Sequence, residues 1–391
     1  MHKMNVLIYG YGETYQKNVY WINQLYNIVG ITDSKFNISS WEMKKYKVED
    51  AVNLAFDIIL ITSIFFEEIK ASLIGRFNIE ESKISWFMDE FCNERCETFG
   101  EKNPNVIFYI YRAHWQESKN GFYNFFDRAM ALYYKTRQLG YELLVDMKNY
   151  YTEYSGLDRY GIVNVWEDYY EQPSKYTLDE AYQSKKVILS KFDSVEYNYL
   201  TLSKSEYLSC EWWRETYENL GKVTHFTPSQ MLKNQINKEL NHLKMSGKIL
   251  GVLARGTDYV CLKPKNHPIP FDTDLLIDEC QSKFQKGEYN YIYLATEDLN
   301  IFEKFKKSFG ENLLFTEQTR VKTDINKMLI DVKFERENDN YLRGLEYCTA
   351  IEVLARCNYL LANCYCYGAL GALAIGGGSI KSEILDMGIY D

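Results

Sequence analysis

The sequence predicts an α/β protein in which a pair of Rossmann-like domains follows a small N-terminal Rossmann-like module. Short apolar segments alternate with amphipathic ones along the 391 residues, a pattern typical of strands and helices that build parallel sheets. Hydrophobic residues make up 46% of the chain and charged residues 25%, the composition of ordinary globular proteins. Since a domain commonly has about 100–200 residues, the length fits two or three domains. We place them at residues 1–97, 98–245 and 246–391.

The N-terminal module opens with a βαβ pattern. An apolar strand ends at Gly10 and Gly12, a helical stretch follows, and a second strand ends at Asp33. This order is typical of nucleotide-binding units, in which an acid about 20 residues after the glycines binds a ribose. Tyr15 stands where that motif has its third glycine. Two interpretations stay open: an accessory module without a ligand, which we favour, and the NAD(P) site of an oxidoreductase.

The second domain begins after a polar segment at 91–105, which we interpret as a linker because it contains proline and glycine. Apolar patterns predict a strand at 106–112, a helix at 122–139 and a strand at 141–147. The stretch 150–173 is dense in tyrosine and tryptophan, whose rings either pack in a core or face a sugar.

The third domain repeats the alternation of strands and helices. We predict strands at 248–254, 290–296 and 358–363, and helices at 229–243, 273–285, 301–309 and 342–357. The uncharged run 359–378 is interpreted as a buried strand, a glycine-rich turn and a core helix, and not as a membrane span.

Charge and cysteine content restrict the class of partner and the compartment. With 45 Lys and Arg against 54 Asp and Glu, the net charge is −9, which argues against nucleic acid because neutralising phosphates needs a basic surface. The nine cysteines include no CxxC pair, and the N-terminus lacks a signal-peptide apolar region, so we expect the reducing cytoplasm. No segment has the roughly 20 apolar residues of a membrane span. Peripheral membrane association and the oligomeric state stay open.

Three loops follow predicted strands of the third domain. In chain order they are Arg255-Gly256-Thr257-Asp258, Thr296-Glu297-Asp298 and residues 363–368. In open parallel sheets, ligands bind beyond the carboxyl ends of the strands. Arg255 is suited to a diphosphate because its planar fork donates two parallel hydrogen bonds to phosphate oxygens. From the residues alone, a phosphate-binding loop and an arginine–aspartate pair that fixes a turn are both open.

These loops carry a resemblance to a known family. The run GVLARGTD at 251–258, followed by His267-Pro268-Ile269, resembles the first motif of the α1,6-fucosyltransferase family, which fucosylates N-glycan cores and rhizobial Nod factors. LATED at 294–298 is similar to the family's second motif, and residues 350–366 resemble its third. A looser likeness covers 115–147, and the first 97 residues lie outside the resemblance.

The resemblance implies a metal-independent, inverting glycosyltransferase of the GT-B fold that uses GDP-fucose as co-substrate and needs no cofactor. Arg255 would neutralise the departing diphosphate. The implied donor-binding residues are Gly256, Thr257, His267, Thr296, Glu297, Asp298, Asn363, Tyr365 and Cys366. Asn120, Gly121 and Asn124 would form an acceptor or phosphate loop.

The first motif departs from the family pattern at residues that would face the diphosphate. Leu253 stands in place of a histidine, Gly256 in place of a second arginine and Tyr259 in place of a lysine. Lys263 stands where the core-fucosylating enzymes have a glutamate, so the base must be another residue.

Glycosyl transfer needs a base for the acceptor hydroxyl. We expect Asp258 in this role because it shares the loop of Arg255, with Glu297 and Asp298 as alternatives. One of those two is alternatively the N-cap of the next helix, a structural role.

A rival signal is Asp272-Thr273-Asp274, which spells the DxD of metal-dependent glycosyltransferases. It follows two prolines and opens a predicted helix, so we expect N-capping and predict no metal site.

We therefore expect a cytoplasmic enzyme that moves fucose from GDP-fucose to a hydroxyl of a glycan or bacterial surface-polysaccharide precursor. One alternative is a transferase with another nucleotide-sugar donor. The alternative of another class is an NAD(P)-dependent oxidoreductase that acts through Gly10, Gly12 and Asp33.

Overall fold

The structure is a computed structural model that describes residues 3–113, 118–191, 210–243, 247–322 and 326–391. The chain forms two compact units. The first comprises Met1–Ser118, Tyr141–Asn164 and Tyr176–Ser194. The second comprises Lys119–Gly140, Val165–Lys175 and Val195–Asp391. The predicted α/β class is confirmed, because both units are built on sheets of parallel strands connected through helices. The predicted boundaries after residues 97 and 245 stay predictions.

The described elements are numbered in chain order. The strands are β1 (Asn5–Tyr9), β2 (Asn27–Thr32), β3 (Lys45–Tyr46), β4 (Ile58–Ile61), β5 (Ile84–Trp86), β6 (Arg95–Glu97), β7 (Lys102–Arg112), β8 (Glu142–Asp146), β9 (Ser184–Leu189), β10 (Ile249–Leu253), β11 (Tyr291–Ala295), β12 (Leu313–Leu314), β13 (Tyr359–Ala362) and β14 (Lys381–Ile384). The helices are α1 (Glu13–Gln16), α2 (Val19–Leu25), α3 (Val48–Ala51), α4 (Phe66–Phe77), α5 (Phe122–Leu139), α6 (Gly156–Arg159), α7 (Val165–Tyr169), α8 (Leu178–Ala181), α9 (Cys210–Val223), α10 (Gln230–Leu243), α11 (Thr257–Leu262), α12 (Thr273–Gln285), α13 (Leu299–Phe309), α14 (Asp339–Leu354) and α15 (Tyr367–Ile375).

The first unit contains an N-terminal sheet of order β3-β2-β1-β4-β5 in which all neighbours are parallel. This is the strand order of a Rossmann-type sheet. The central strand β1 reads NVLIY and is buried after its first residue, as expected for a strand with helices on both faces.

The first unit also contains a four-stranded sheet of order β6-β9-β7-β8. Strand β7 is parallel to β8 and β9, and β6 is an antiparallel edge. The linker predicted at 91–105 is wrong, because β6 and the start of β7 lie within it. Pro104 is tolerated there because the pairing of β7 with β9 shifts register between Lys102 and Ile107.

The second unit contains the C-terminal sheet, of order β12-β11-β10-β13-β14 with all neighbours parallel. Its order matches that of the N-terminal sheet. The run 359–378 forms buried β13, a turn and buried α15, as the sequence predicts. Among the described helices, none is long and apolar enough to span a membrane.

Helix α5 belongs to the second unit, and its apolar side chains pack with α9 and α15. The hydroxyl of Tyr123 in α5 lies 3.0 Å from that of Tyr170, which donates to Glu352 of α14 at 3.1 Å. The aromatic residues Trp166, Tyr169 and Tyr170 are fully buried, so the rings of this part of the 150–173 stretch pack in the core.

Candidate functional site

Three loops meet at the carboxyl edge of the C-terminal sheet. Strand β10 lies between β11 and β13, and all three run in the same direction. The segments that follow them, at 255–258, 296–298 and 363–366, therefore lie at one edge. Open α/β sheets bind ligands at this position. The structure thus brings together the three loops that the sequence predicts.

Asn363 and Thr296 hold the backbone before and at Arg255. Asn363 is 1% exposed; its Oδ1 accepts from the Arg255 amide at 2.8 Å and its Nδ2 donates to the Arg255 carbonyl at 2.9 Å. Thr296 Oγ1 donates to the Ala254 carbonyl at 2.7 Å. These two predicted donor-binding residues use their polar atoms to position the arginine.

Gly256 and Thr257 form the turn from β10 into α11, a helix that the sequence analysis did not predict. A Cβ on Gly256 would lie 2.5 Å from Asp298 Oδ2, so the turn leaves no room for a side chain. Thr257 has a φ of +45°, which is uncommon for a β-branched residue, and its amide donates to Asp298 Oδ2 at 2.9 Å. Strain of this kind persists where surrounding contacts hold it, and it clusters at functional sites.

The guanidinium of Arg255 lies between two carboxylates and an aromatic ring. Nη2 donates to Asp258 Oδ1 at 2.8 Å, Nη1 lies 2.6 Å from Glu297 Oε1, and Cζ is 4.5 Å from the centre of the Tyr259 ring. The side chain is 17% exposed. Burial lowers the pKa of Arg255, but the charges of Glu297 and Asp258 outweigh it, so this pKa lies well above its ordinary value. Arg255 is therefore a permanent cation that is largely but not completely buried.

The three nearby carboxylates differ in how they are used. Asp298 is fully buried; Oδ1 accepts from the amides of Asn300 and Ile301 at the start of α13, and Oδ2 accepts from Thr257. The alternative that one acid of this loop caps the next helix is thereby confirmed for Asp298.

Asp258, the predicted base, is 1% exposed and uses both oxygens. Oδ1 accepts from Arg255 and from the Tyr259 amide at 3.0 Å, and Oδ2 accepts from the Leu329 amide at 2.9 Å. These contacts fix Asp258 between its own loop and the segment at 328–331.

Glu297 is the more accessible acid, with a side chain 21% exposed. Its Oε1 contacts Arg255 and accepts from the Gly256 amide at 3.1 Å. Thr257 Oγ1 lies 3.1 Å from the same oxygen. No residue in the described ranges donates a hydrogen bond to Oε2.

The N-terminus of helix α15 lies at the same edge of the sheet. Cys366 is its N-cap residue and is half-buried, with Tyr365, also half-buried, before it. A hydrogen bond with Cys364 lowers the pKa of Cys366 against the opposing effect of burial, and the charge of Arg255 adds to the lowering. The same hydrogen bond, together with burial, raises the pKa of Cys364. The N-terminus of a helix favours an anion, so the start of α15 and Arg255 are two groups at this edge that would attract one.

His267 packs against Tyr259, whose ring contacts the Arg255 guanidinium. The two rings are edge to face with centres 5.2 Å apart, and His267 Nδ1 lies 3.0 Å from the Lys265 carbonyl. The predicted donor-binding histidine is thus packed behind the ring that covers Arg255.

The predicted acceptor or phosphate loop forms a separate group at the start of α5. Gly121 is the N-cap residue, and Asn120 Nδ2 donates to Asn124 Oδ1 at 2.9 Å. These three residues make no hydrogen bond to the Arg255 loop within the described ranges.

A short segment at Leu329–Asp331 connects the two groups, and the sequence analysis missed it. Leu329 donates to Asp258, and Asp331 pairs with Lys119, next to the α5 loop, at 2.7 Å. Arg343 of α14 holds the segment through the carbonyls of Ile330 (3.0 Å) and Val332 (3.1 Å). The segment has no hydrophobic period or motif, so only its contacts reveal it.

The DxD sequence is used in capping, as predicted. Asp272 accepts from the amides of Asp274 and Leu275 at the start of α12, and Asp274 pairs with Lys304 at 2.8 Å. Across the described ranges, His, Cys, Asp and Glu side chains form no group of three that could hold a metal ion.

The N-terminal sheet has loops at the corresponding edge, but with other contacts. Asp33 accepts from the amides of Tyr11 (2.9 Å) and Lys35 (3.0 Å). Gly10 has a φ of +115°, and a Cβ there would lie 3.0 Å from the Thr62 carbonyl. Helix α1 has four residues, and Tyr15 is buried in it, so this helix offers little dipole to a pyrophosphate. These contacts favour a structural role for Asp33 and Gly10.

Comparisons with known proteins give two kinds of match. The family model for the C2185-like N-terminal domain matches residues 2–85, which comprise most of the N-terminal module. No curated protein is significantly similar in sequence.

Solved structures of fucosyltransferases are similar over most of the chain at low identity. The fucosyltransferase NodZ from Bradyrhizobium is 11% identical with a TM-score of 0.38, and the match covers 69% of this chain and 92% of that one. POFUT1 in complex with GDP is 10% identical with a TM-score of 0.32, and the match covers 98% of this chain and 99% of that one.

Proposed function

We propose that this chain is an inverting, metal-independent glycosyltransferase that moves fucose from GDP-fucose to a hydroxyl of a glycan or surface-polysaccharide precursor. The observation that carries the proposal is Arg255, a permanent cation held at the ligand-binding edge of the C-terminal sheet. It lies in the motif that resembles the α1,6-fucosyltransferases, and the identity of the donor rests on that resemblance.

The proposed role of Arg255 follows from the charge of the leaving group. When the bond between the sugar and the diphosphate breaks, negative charge develops on the diphosphate, and preorganised donors stabilise it. Two of the cations of the family pattern are absent, since Gly256 and Tyr259 stand in their places. The chain has a net charge of −9, so bulk charge does not attract the diphosphate. Arg255 and the amides at the start of α15 would supply the positive potential.

The backbone of the arginine loop is preorganised for this role. Asn363 fixes both polar backbone atoms of Arg255, and Asp258 and Tyr259 hold its side chain. A cation held in this way needs little reorganisation when the leaving group departs, which is the property that makes electrostatic stabilisation effective.

The N-terminal module is proposed to be a non-catalytic accessory or regulatory domain of a cytoplasmic enzyme. At the carboxyl edge of its sheet, Asp33 accepts hydrogen bonds from backbone amides of the module itself. The partners that the proposal names are a nucleotide sugar and a glycan acceptor.

Calorimetric titration with GDP in the presence of EDTA tests the proposal. We expect wild-type protein to bind GDP without metal, and Arg255→Ala to lose binding and to slow GDP-fucose turnover by about 10³-fold, the effect of removing a central charge-stabilising donor. The matched control is Arg76→Ala, which removes an exposed arginine of the N-terminal module that pairs with Glu49. Absence of GDP binding by the wild type, or unchanged turnover in Arg255→Ala, would contradict the proposal.

A further inference from the structure

Arg255 pairs with two carboxylates in this structure. Its two terminal nitrogens contact Asp258 at 2.8 Å and Glu297 at 2.6 Å. A diphosphate would bring further negative charge to a guanidinium that two carboxylates already neutralise. Since like charges at such distances repel, one carboxylate must give up its place when the diphosphate binds.

The contacts of Asp258 and Glu297 indicate which carboxylate gives up its contact with Arg255 to the diphosphate. Asp258 is 1% exposed and is tied by the amides of Tyr259 and Leu329 as well as by Arg255. Moving it would leave two partly buried amides unpaired, which is costly. Glu297 is 21% exposed and contacts Arg255 through Oε1 alone. Glu297 is therefore the partner that a diphosphate displaces.

In this exchange Glu297 loses its contact with Arg255 but keeps its contacts with the backbone amide and hydroxyl that follow Arg255. Its Oε1 still accepts from the Gly256 amide at 3.1 Å and lies 3.1 Å from Thr257 Oγ1. Both donors belong to the loop that carries Arg255, so the carboxylate remains at the site. Its other oxygen, Oε2, accepts no hydrogen bond from the described residues and is free to take a proton.

We propose that Glu297, and not Asp258, is the general base, and that it is released for this role when the diphosphate takes over Arg255. This inference rests on the proposed function. Oε2 of Glu297 takes the proton of the acceptor hydroxyl while the acceptor oxygen bonds to the anomeric carbon on the face opposite the diphosphate. The bond from that carbon to the diphosphate oxygen breaks, its electron pair stays on GDP beside Arg255, and Glu297 later returns the proton to solvent. Asp258 positions Arg255 and the 328–331 segment.

The test separates binding from chemistry. Glu297→Gln keeps the shape of the side chain and removes its charge, so GDP no longer has to displace an anion. We expect calorimetry to show GDP binding several-fold tighter than in the wild type. With water as acceptor, release of GDP from GDP-fucose should slow by about 10²–10⁴-fold, the usual contribution of a general base. The control is Glu303→Gln, an exposed glutamate on α13, which should change neither quantity.

A second variant distinguishes a base from a structural residue. Azide needs no deprotonation, so it should restore turnover of GDP-fucose in Glu297→Ala and yield fucosyl azide, detected by mass spectrometry. Asp258→Asn should weaken GDP binding and gain nothing from azide.

The outcomes separate this inference from the proposed function. The inference alone is overturned if the wild type binds GDP but Glu297→Gln hydrolyses GDP-fucose at a rate within about threefold of the wild-type rate. Such a change is too small for loss of a general base. Failure of azide to restore Glu297→Ala also overturns it. A wild type that binds no GDP overturns the proposed function and the inference together.

Discussion

The N-terminal and C-terminal sheets share strand order and loop geometry but differ in the side chains at their carboxyl edges. The pairing of β1 with β2 and β4 matches that of β10 with β11 and β13. In both sheets the residue after the central strand donates to the end of the neighbouring strand, Gly10 to Thr32 at 2.8 Å and Ala254 to Ala295 at 3.0 Å. By this register Tyr11 occupies the position of Arg255.

The difference lies in what the equivalent positions carry. Tyr11 presents a ring with Lys45 Nζ 3.9 Å from its centre, whereas Arg255 presents a guanidinium. Thr62, the counterpart of Asn363, donates to the Gly10 carbonyl at 2.9 Å. Asn363 instead hydrogen-bonds both the backbone amide and the backbone carbonyl of Arg255. One topology therefore supports a buried arginine with two carboxylates in one place and a tyrosine beside a lysine in the other, because chemistry lies in the loops and not in the fold.

The largest difference in stability is expected at Gly256 and Gly12, which occupy equivalent positions in the two sheets. Gly256→Ala should lower the free energy of unfolding by about 2–3 kcal/mol, because its Cβ would lie 2.5 Å from Asp298 Oδ2 and 2.8 Å from Ile301 Cδ1. Nothing lies within 4 Å of the corresponding position on Gly12, where alanine should be neutral or stabilise by up to about 1 kcal/mol. Denaturant unfolding of both variants measures the difference. Equal effects would show that the two loops are packed alike.

A smaller difference is expected at Asn363 and Thr62. Asn363→Ala leaves the buried amide and carbonyl of Arg255 without partners and should cost about 2 kcal/mol of stability. We also expect it to weaken GDP binding about tenfold, since the arginine is no longer fixed. Thr62→Ala removes one hydroxyl and should cost about 1 kcal/mol with no change in GDP affinity. Loss of GDP affinity in Thr62→Ala would contradict this prediction and indicate that GDP binds at the N-terminal sheet.

The smallest effect concerns the pH dependence of Cys366. Its lowered pKa means that more of it is thiolate at neutral pH than for a thiol with the ordinary pKa of about 8.5. Because the thiolate reacts, alkylation of Cys366 by iodoacetamide should fall less between about pH 8.5 and about pH 6.5 than alkylation of N-acetylcysteine in the same solution. Site-resolved mass spectrometry gives both rates, and bound GDP should slow the reaction at Cys366. An equal fall for both thiols would contradict the assigned environment.

The sequence predicts the strongly periodic elements well. Helices α5 and α12 have the predicted bounds, and β10, β11 and β13 lie within the predicted strands. Strands β9 and β14 were not predicted because SKKVIL and KSEI begin with polar residues, show no alternation of apolar and polar residues, and depend on pairing with a neighbour. Helix α11 was not predicted because it begins at a residue with positive φ, which contacts with Asp298 stabilise.

The candidate site could be predicted in position but not in the roles of its residues. Strand ends indicate where Arg255, Glu297 and Asn363 meet. The sequence does not reveal that Asn363 binds backbone, that Asp298 caps a helix or that Leu329 reaches Asp258, because these are contacts between distant parts of the chain.

The location of the donor site is tested most directly by hydrogen–deuterium exchange of the full chain with and without GDP. We predict slower exchange on GDP binding in residues 255–262 and 364–374, which contain Arg255 and the start of α15, and no change in residues 10–16. Protection confined to residues 10–16 and 33–36 would contradict the assignment and place the nucleotide on the N-terminal sheet.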